Sequence, residues 1–210
     1  MQFKNISSLQ IKPLLGKIIN AGNATSFIHY FKRIIIVLSI YLLHTILYNF
    51  VSIHHVNDNF NLLTDIDKLI PFAPDMVYIY MSFYAVIFIS VFFLKTDEAF
   101  YQIILSIIGT LFITYPLFYF FPAYYPVPSF DTDTFTTKFL KWCHEADVPN
   151  NTFPSLHVSL SFTIALGINH FRKTIGKVYI IWAILIGLST IMIRKHFLID
   201  TLGGIVIAGL

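Results

Sequence analysis

Long apolar runs constrain this chain more than any other feature. Ile34–Ile53, Val77–Leu94 and Tyr101–Phe121 are 18 to 21 residues long and contain no Asp, Glu, Lys or Arg. A membrane-spanning helix needs ~20 mostly apolar residues, with a usual range of about 17 to 25, so each run is long enough to cross. Pro154–Phe171 is of similar length but more polar, with Ser155, His157, Ser159, Ser161, Thr163 and Asn169 along it. Such a run is expected to face the interior of a bundle. Val178–Ile193 is slightly short. Phe197–Leu210 begins a sixth helix, but its 14 residues would rise only about 21 Å against a hydrocarbon core of about 30 Å. We read it as a helix cut short where the sequence stops. The expected fold is an all-α, integral membrane six-helix bundle.

Composition agrees. The chain is 56% hydrophobic and only 12% charged, where a soluble domain carries about 25% charge. The single cysteine, Cys143, excludes an intrachain disulfide and a Cys-based zinc site. Basic residues gather near the N-terminus and around 172–177 instead of forming a nucleic-acid patch. Residues 1–33 hold Lys4, Lys12, Lys17, Lys32 and Arg33 and no acid. Ile11, Leu14, Leu15, Ile18 and Ile19 recur there at helical spacing, which reads as an amphipathic helix on a membrane surface. Two units follow: a basic interfacial segment, 1–33, and a transmembrane domain, 34–210.

Loop charge gives an orientation. The N-terminal segment carries +5, loop 54–76 carries −3, loop 122–153 carries −2 and the turn 172–177 carries +3. The positive-inside rule then places the N-terminus and the 172–177 turn in the cytoplasm. The start of the fourth run and the start of the sixth lie together on the extracytoplasmic side. In the second loop, Pro71 and Pro74 predict an extended approach to helix two. Tyr115-Pro116 predicts a kink in helix three. The stretch Phe121–Pro128, rich in proline and tyrosine, suits an interface.

Two segments carry chemistry, and both lie on that shared side. In Thr152-Phe153-Pro154-Ser155-Leu156-His157, Pro154 suits a first helical turn and Asn151 or Thr152 can cap it. Free N–H groups there, including that of Leu156, make an anion site. Ser155 adds a hydroxyl and His157 an imidazole. In Arg194-Lys195-His196-Phe197-Leu198-Ile199-Asp200, i and i+4 share a helix face. A carboxylate on one ring nitrogen makes the other a better nucleophile, so Asp200 can orient His196. Arg194 and Lys195 are anion clamps beside it. Each segment alone also reads as ordinary helix-end decoration. Together they read as a phosphate-handling site, because one descent, a turn and one ascent join them.

Pro154-Ser155-Leu156-His157 and His196-x-x-x-Asp200 on a six-helix chain resemble the type 2 phosphatidic acid phosphatase superfamily over residues 65 to 210. Leu156, with Asn151-Thr152-Phe153, resembles its inositol phosphorylceramide synthase-like branch. The resemblance implies a metal-independent reaction without cofactor on a lipid phosphate. His196 would attack phosphorus with Asp200 orienting it, and His157 would protonate the leaving alkoxide. Ser155, Arg194, Lys195 and the Leu156 backbone would hold phosphate oxygens. The family pattern departs here at three places. Leu156 stands where Gly is usual, Ser189-Thr190 where a Ser-Arg pair is usual, and no Arg-Pro dipeptide supplies the first motif. Lys138 or Lys141 could lean in to replace that cation.

Four functions follow from these residues. They are hydrolysis of a lipid phosphate, transfer of the phospho-group to an alcohol, non-catalytic carriage of lipid or ions, and an inactive homologue. His44 is expected to be a hydrogen-bonded packing residue, His54 and His55 interfacial, and His29, His144 and His170 loop or helix-end residues. Asp65, Asp67 and Asp75 read as a solvated loop, not a metal site. Ser189 and Thr190 could donate to phosphate or to a neighbouring helix.

Overall fold

The computed structural model describes residues 11–54, 60–147 and 149–210, with backbone alone for 11–26 and His54. Its helices are α1 (Ile11–His54), α2 (Asp65–Leu69), α3 (Val77–Phe93), α4 (Asp97–Phe120), α5 (Phe135–Glu145), α6 (Leu156–Phe171), α7 (Lys173–Met192) and α8 (Leu198–Gly209). Four spans are long and apolar enough to cross a membrane: Phe27–Ile53, Pro74–Phe93, Asp97–Phe120 and Lys173–Met192. α6 and α8 are shorter apolar helices. Six apolar helices, all-α, is the architecture that the hydropathy pattern predicts.

α6 is the hub, packed on α7, α8, α4 and α3. Its small and polar residues allow this. Val158, Ser159, Ser161, Ala165 and Ile168 are fully buried, where larger side chains would hold the neighbours apart. Thr163 meets Thr110 of α4 at 3.0 Å, and across α3 and α7 the Trp182 indole donates to Ser82 Oγ at 2.7 Å. The turn between α6 and α7 is tight: a side chain at Gly176 would fall inside Asn169. Among the described helices α1 packs mainly on α3 and α4. Its Leu42, Leu43 and Ile46 stay exposed, as do Leu105, Phe112 and Phe120 of α4. In water such a surface would be a large apolar patch; in a bilayer it meets lipid tails.

The end of the bundle away from the two histidine segments is tied by two arginines. Arg33 of α1 is 2% exposed. It pairs with Asp97 at 2.9 Å, donates to the Leu94 carbonyl and lies over the Phe100 ring at 4.9 Å. Arg172 donates to the Phe93 carbonyl at 3.1 Å.

Several local expectations change. No break separates a surface helix from the first span: α1 runs on through residue 33, because nothing between Ile11 and Ile34 except Pro13, in the first turn, breaks a helix. The amphipathic face expected at 11–20 falls on side chains outside those described, as does His55. His29 lies within α1, 3.4 Å from Asp97, and not at a helix end. Arg172 alone joins α6 to α7, so Lys173 to Lys177 are helical and not a turn.

Loop 122–153 contains α5, which short length and a polar face conceal. Thr134 and Thr137 cap its start reciprocally. Phe135, Phe139 and Trp142 stack along one side, with Phe135 and Trp142 largely exposed. On the other side Leu140, Cys143 and His144 are buried. Loop 54–76 likewise contains α2, capped by Thr64, and a 3-10 turn at Pro74–Met76.

Candidate active site

Ser155 occupies the N-cap position of α6, but its hydroxyl caps nothing. Asn151 and Thr152 do not cap the helix either. Asn151, in the left-handed region at φ 63°, donates to Ser52 Oγ at 2.7 Å, and Asn150 donates to the Ser52 carbonyl at 3.0 Å. The approach to α6 is therefore pinned to the end of α1. Ser155 N–H donates to the Asp200 carbonyl at 2.9 Å, tying the start of α6 to the start of α8. Gly204 permits this approach: a Cβ there would lie 2.7 Å from Ser155 O and 2.9 Å from Val158 Cβ. The first-turn N–H groups of Leu156, His157 and Val158 have no intrahelical acceptor.

The second segment turns sharply between α7 and α8. Arg194 has φ 62°. Lys195 N–H reaches Thr190 O at 3.0 Å and Arg194 N–H reaches Ile191 O at 3.1 Å. This is a Schellman ending with arginine where glycine is usual. A non-glycine residue in that conformation costs roughly 1–2 kcal/mol. The guanidinium offsets it by donating to the carbonyls of Asp67 and Ile70, at 2.9 and 2.7 Å. Asp67 in turn accepts from Leu198 N–H at 2.7 Å and from Thr64 N–H at 2.9 Å. It is 1% exposed, not solvated. Burial raises its pKa, but its hydrogen bonds and Arg194 outweigh that and hold it below the usual carboxylate range.

The turn delivers His196 to the start of α6. Its ring centroid is 6.2 Å from that of His157. Asp200 is fully buried behind it, with Oδ2 accepting from Phe197 N–H at 2.8 Å and facing His196 Nδ1 at 3.5 Å. That last distance is a contact, not a closed hydrogen bond; catalytic bonds often tighten only with substrate. Tyr80 and Phe83 flank His157 at 4.6 and 4.7 Å. Ser155 Oγ, Thr152 Oγ1, His157 Nε2 and Asp200 Oδ1 are buried with no hydrogen-bond partner among the described residues. Unpaired buried polar atoms are costly, and those of Thr152 and His157 belong to residues that line one cavity.

Lys195 Nζ pairs with Asp147 Oδ2 at 3.2 Å, and Tyr48 of α1 donates to Asp147 Oδ1 at 2.8 Å. Burial pushes the Asp147 pKa up, but Lys195 and Tyr48 outweigh it and the carboxyl titrates low. A cavity of about 360 Å³ opens on this group, lined by His157, His196, Arg194, Lys195 and Asp147 at one end.

The structure thus brings Ser155, Leu156, His157, Arg194, Lys195, His196 and Asp200 to one end of the bundle. Both terminal nitrogens of Arg194 are engaged by backbone carbonyls, whereas Lys195 is held by the Asp147 side chain. Lys138 is exposed and Lys141 pairs with Glu145 at 3.8 Å on α5; neither lines the cavity. Ser189 and Thr190 donate to the carbonyls of Ile186 and Gly187 within α7. His44 is bonded to Tyr115 at 2.6 Å and His144 to the Ile193 carbonyl at 3.0 Å. Sequence reading missed Tyr48, Asp67 and Asp147. The Thr64-x-x-Asp67 capping pattern was a signal for one of them; nothing local distinguished the others.

Among solved structures, the crystal structure of Aquifex aeolicus LpxE is similar, with a TM-score of 0.49 and 23% identity, covering 64% of this chain and 78% of that one. No curated protein matches the chain. The family model described as the PAP2 superfamily matches residues 55–210, which include both histidine segments, and this helical membrane protein belongs to that superfamily.

Proposed function

We propose that the protein is a membrane phosphatase acting on a lipid phosphate through a phosphohistidine, at the extracytoplasmic face. The observation that carries this reading is the pairing of His157 and His196 across 6.2 Å in one cavity, with buried Asp200 behind His196. Asp200 Oδ2 accepts a hydrogen bond from the Nδ1–H of His196, which keeps the proton on Nδ1 and leaves the lone pair on Nε2 to attack phosphorus. The P–O bond to the lipid breaks, and His157 gives its proton to the leaving alkoxide. Ser155 Oγ, the N–H groups of the first α6 turn and Lys195 hold the equatorial oxygens as charge develops. His157, now neutral, takes a proton from water, which displaces the phosphoryl group from His196. Asp147 keeps Lys195 turned toward the site. The acidic loops 54–76 and 122–153 at this end support the extracytoplasmic placement.

A second reading is transfer to an alcohol, as in inositol phosphorylceramide synthase-like enzymes. Tyr48, Asn49 and Asp147 line the cavity beside the histidines and give a hydroxylated acceptor groups to bond. The test is phosphate release by purified protein in detergent with EDTA, from a panel of lipid phosphates, with His196→Ala alongside. Release that persists in EDTA and vanishes in the variant supports the phosphatase. Release unchanged in the variant overturns it. Product formed only with an added alcohol selects the transferase.

A further inference from the structure

The cavity does not end at the histidines. From Tyr80, beside His157, its wall follows α3 through Tyr84, Ile87 and Val91 to Leu94. The helical part, Tyr80 to Phe93, is 14 residues and corresponds to a depth of about 21 Å. α4 lines it antiparallel, from Phe118 at the histidine end to Ile104 and Phe100 at the other. α6 contributes Leu160 and Ile164 below His157, and α1 supplies a wall from Tyr48 to Val37. The floor is closed: Leu94 and Phe100 are 2% and 1% exposed, and Arg33, paired with Asp97, lies over the Phe100 ring. Polar wall groups are engaged: His44 with Tyr115, and Thr45 with the Tyr41 carbonyl.

We propose that this channel receives one hydrocarbon chain of the lipid phosphate, end-on, with its terminus against Leu94 and Phe100. The proposal rests on the lipid-phosphate reading above and names its substrate class. A hydrocarbon core of about 30 Å holds two leaflets, so one leaflet's tail reaches about 15 Å. A channel about 21 Å deep takes such a tail whole. It does not take a polyprenyl chain several times longer. α1, which precedes the region matched by the family, is what encloses the channel on its fourth side. A tail already in the bilayer is out of water, and side chains are no more apolar than lipid. Filling the channel therefore selects by fit, and a length limit is the expected signature.

The first experiment needs no turnover. Hexadecyl phosphate with a terminal diazirine is photolysed with His196→Ala protein in nanodiscs, and the adducts are mapped. Adducts on Val91, Leu94, Phe100 or Ile104 are expected. Adducts confined to the lipid-facing Ile89, Phe92 and Phe112 would overturn the channel. The second experiment compares turnover of octyl, hexadecyl and polyprenyl phosphates. Wild type should accept the first two and reject the third. Ile87→Trp, halfway down, should lower hexadecyl turnover about tenfold, the scale of an overpacked core, and leave octyl turnover unchanged. Ile89→Trp, on the lipid face, should change neither. Equal loss on octyl and hexadecyl substrates in Ile87→Trp would sink the length limit. Floor adducts with no turnover by wild type would instead remove the phosphatase reading and leave the channel.

Discussion

Gly204→Ala should damage the site without touching a reacting group. The added Cβ would lie 2.7 Å from Ser155 O, 2.9 Å from Val158 Cβ and 3.2 Å from Ser159 N. The first and last are backbone, so no side-chain rotation relieves them. Reaching an ordinary contact distance of 3.4 Å requires the start of α6 and α8 to part by 0.7 Å. The Ser155 N–H to Asp200 carbonyl bond, now 2.9 Å, would stretch beyond hydrogen-bonding range. Overpacking of this kind costs about 1–3 kcal/mol, and alanine's better helix propensity returns up to ~1 kcal/mol. A net loss of about 1–2 kcal/mol is expected. Activity should suffer more, because a shift approaching 1 Å between reacting groups costs up to ~100-fold. Ser155 sits on one side of the parted interface, and Asp200 with His196 on the other. The assay is kcat for lipid-phosphate hydrolysis beside thermal unfolding in the same detergent. Gly109→Ala is the control, since a Cβ there meets nothing within 4 Å; it should keep full activity. Wild-type kcat in Gly204→Ala, or equal losses in both variants, would refute the reasoning.

The remaining predictions concern the groups around the site. Asp147→Asn should lower kcat/KM about tenfold by releasing Lys195, and should add nothing in a Lys195→Met background, because contacting residues are non-additive. An undiminished second loss there would show that Asp147 acts on its own. His144 is held to a pKa of about 4 by burial and then by Lys195. Its neutral form therefore supports α5 fully above its unfolded value, about 6.5, and that support is lost as pH falls toward 4. The melting temperature should drop over this window, and His144→Gln should flatten the drop. Arg194→Gly removes the left-handed strain but loses two charge-assisted bonds worth roughly 1.5–3 kcal/mol each, so it should lower the melting temperature. Arg194→Lys should not restore it, because an ammonium cannot span the two carbonyls.

The sequence alone determined the helices that lipid selects. Charge-free runs near 20 residues have one way to satisfy their backbone in a bilayer, so the spans at α3, α4 and α7 were legible to within a few residues. The histidine segments were legible as well, because a single helical hairpin returns residue 196 to the level of residue 157; the 196–200 pairing came out by another route than the expected helix face, since His196 lies in the turn before α8 and Asp200 reaches back to cap Phe197 N–H. Elements short of a span were not. α5 and α2 lack length and strong apolar character, and their capping patterns resemble loop composition. Tertiary structure alone decided how the charges are used. Arg194 reads as a phosphate clamp in sequence, yet the left-handed turn aims it at the α2 carbonyls. Asp67 reads as a solvated acid, yet it holds the start of α8. Asp147 and Tyr48, 99 residues apart, meet only because α1 packs across the bundle to orient Lys195. Side-chain direction in a turn, and contacts between distant helices, depend on packing geometry that no local pattern encodes.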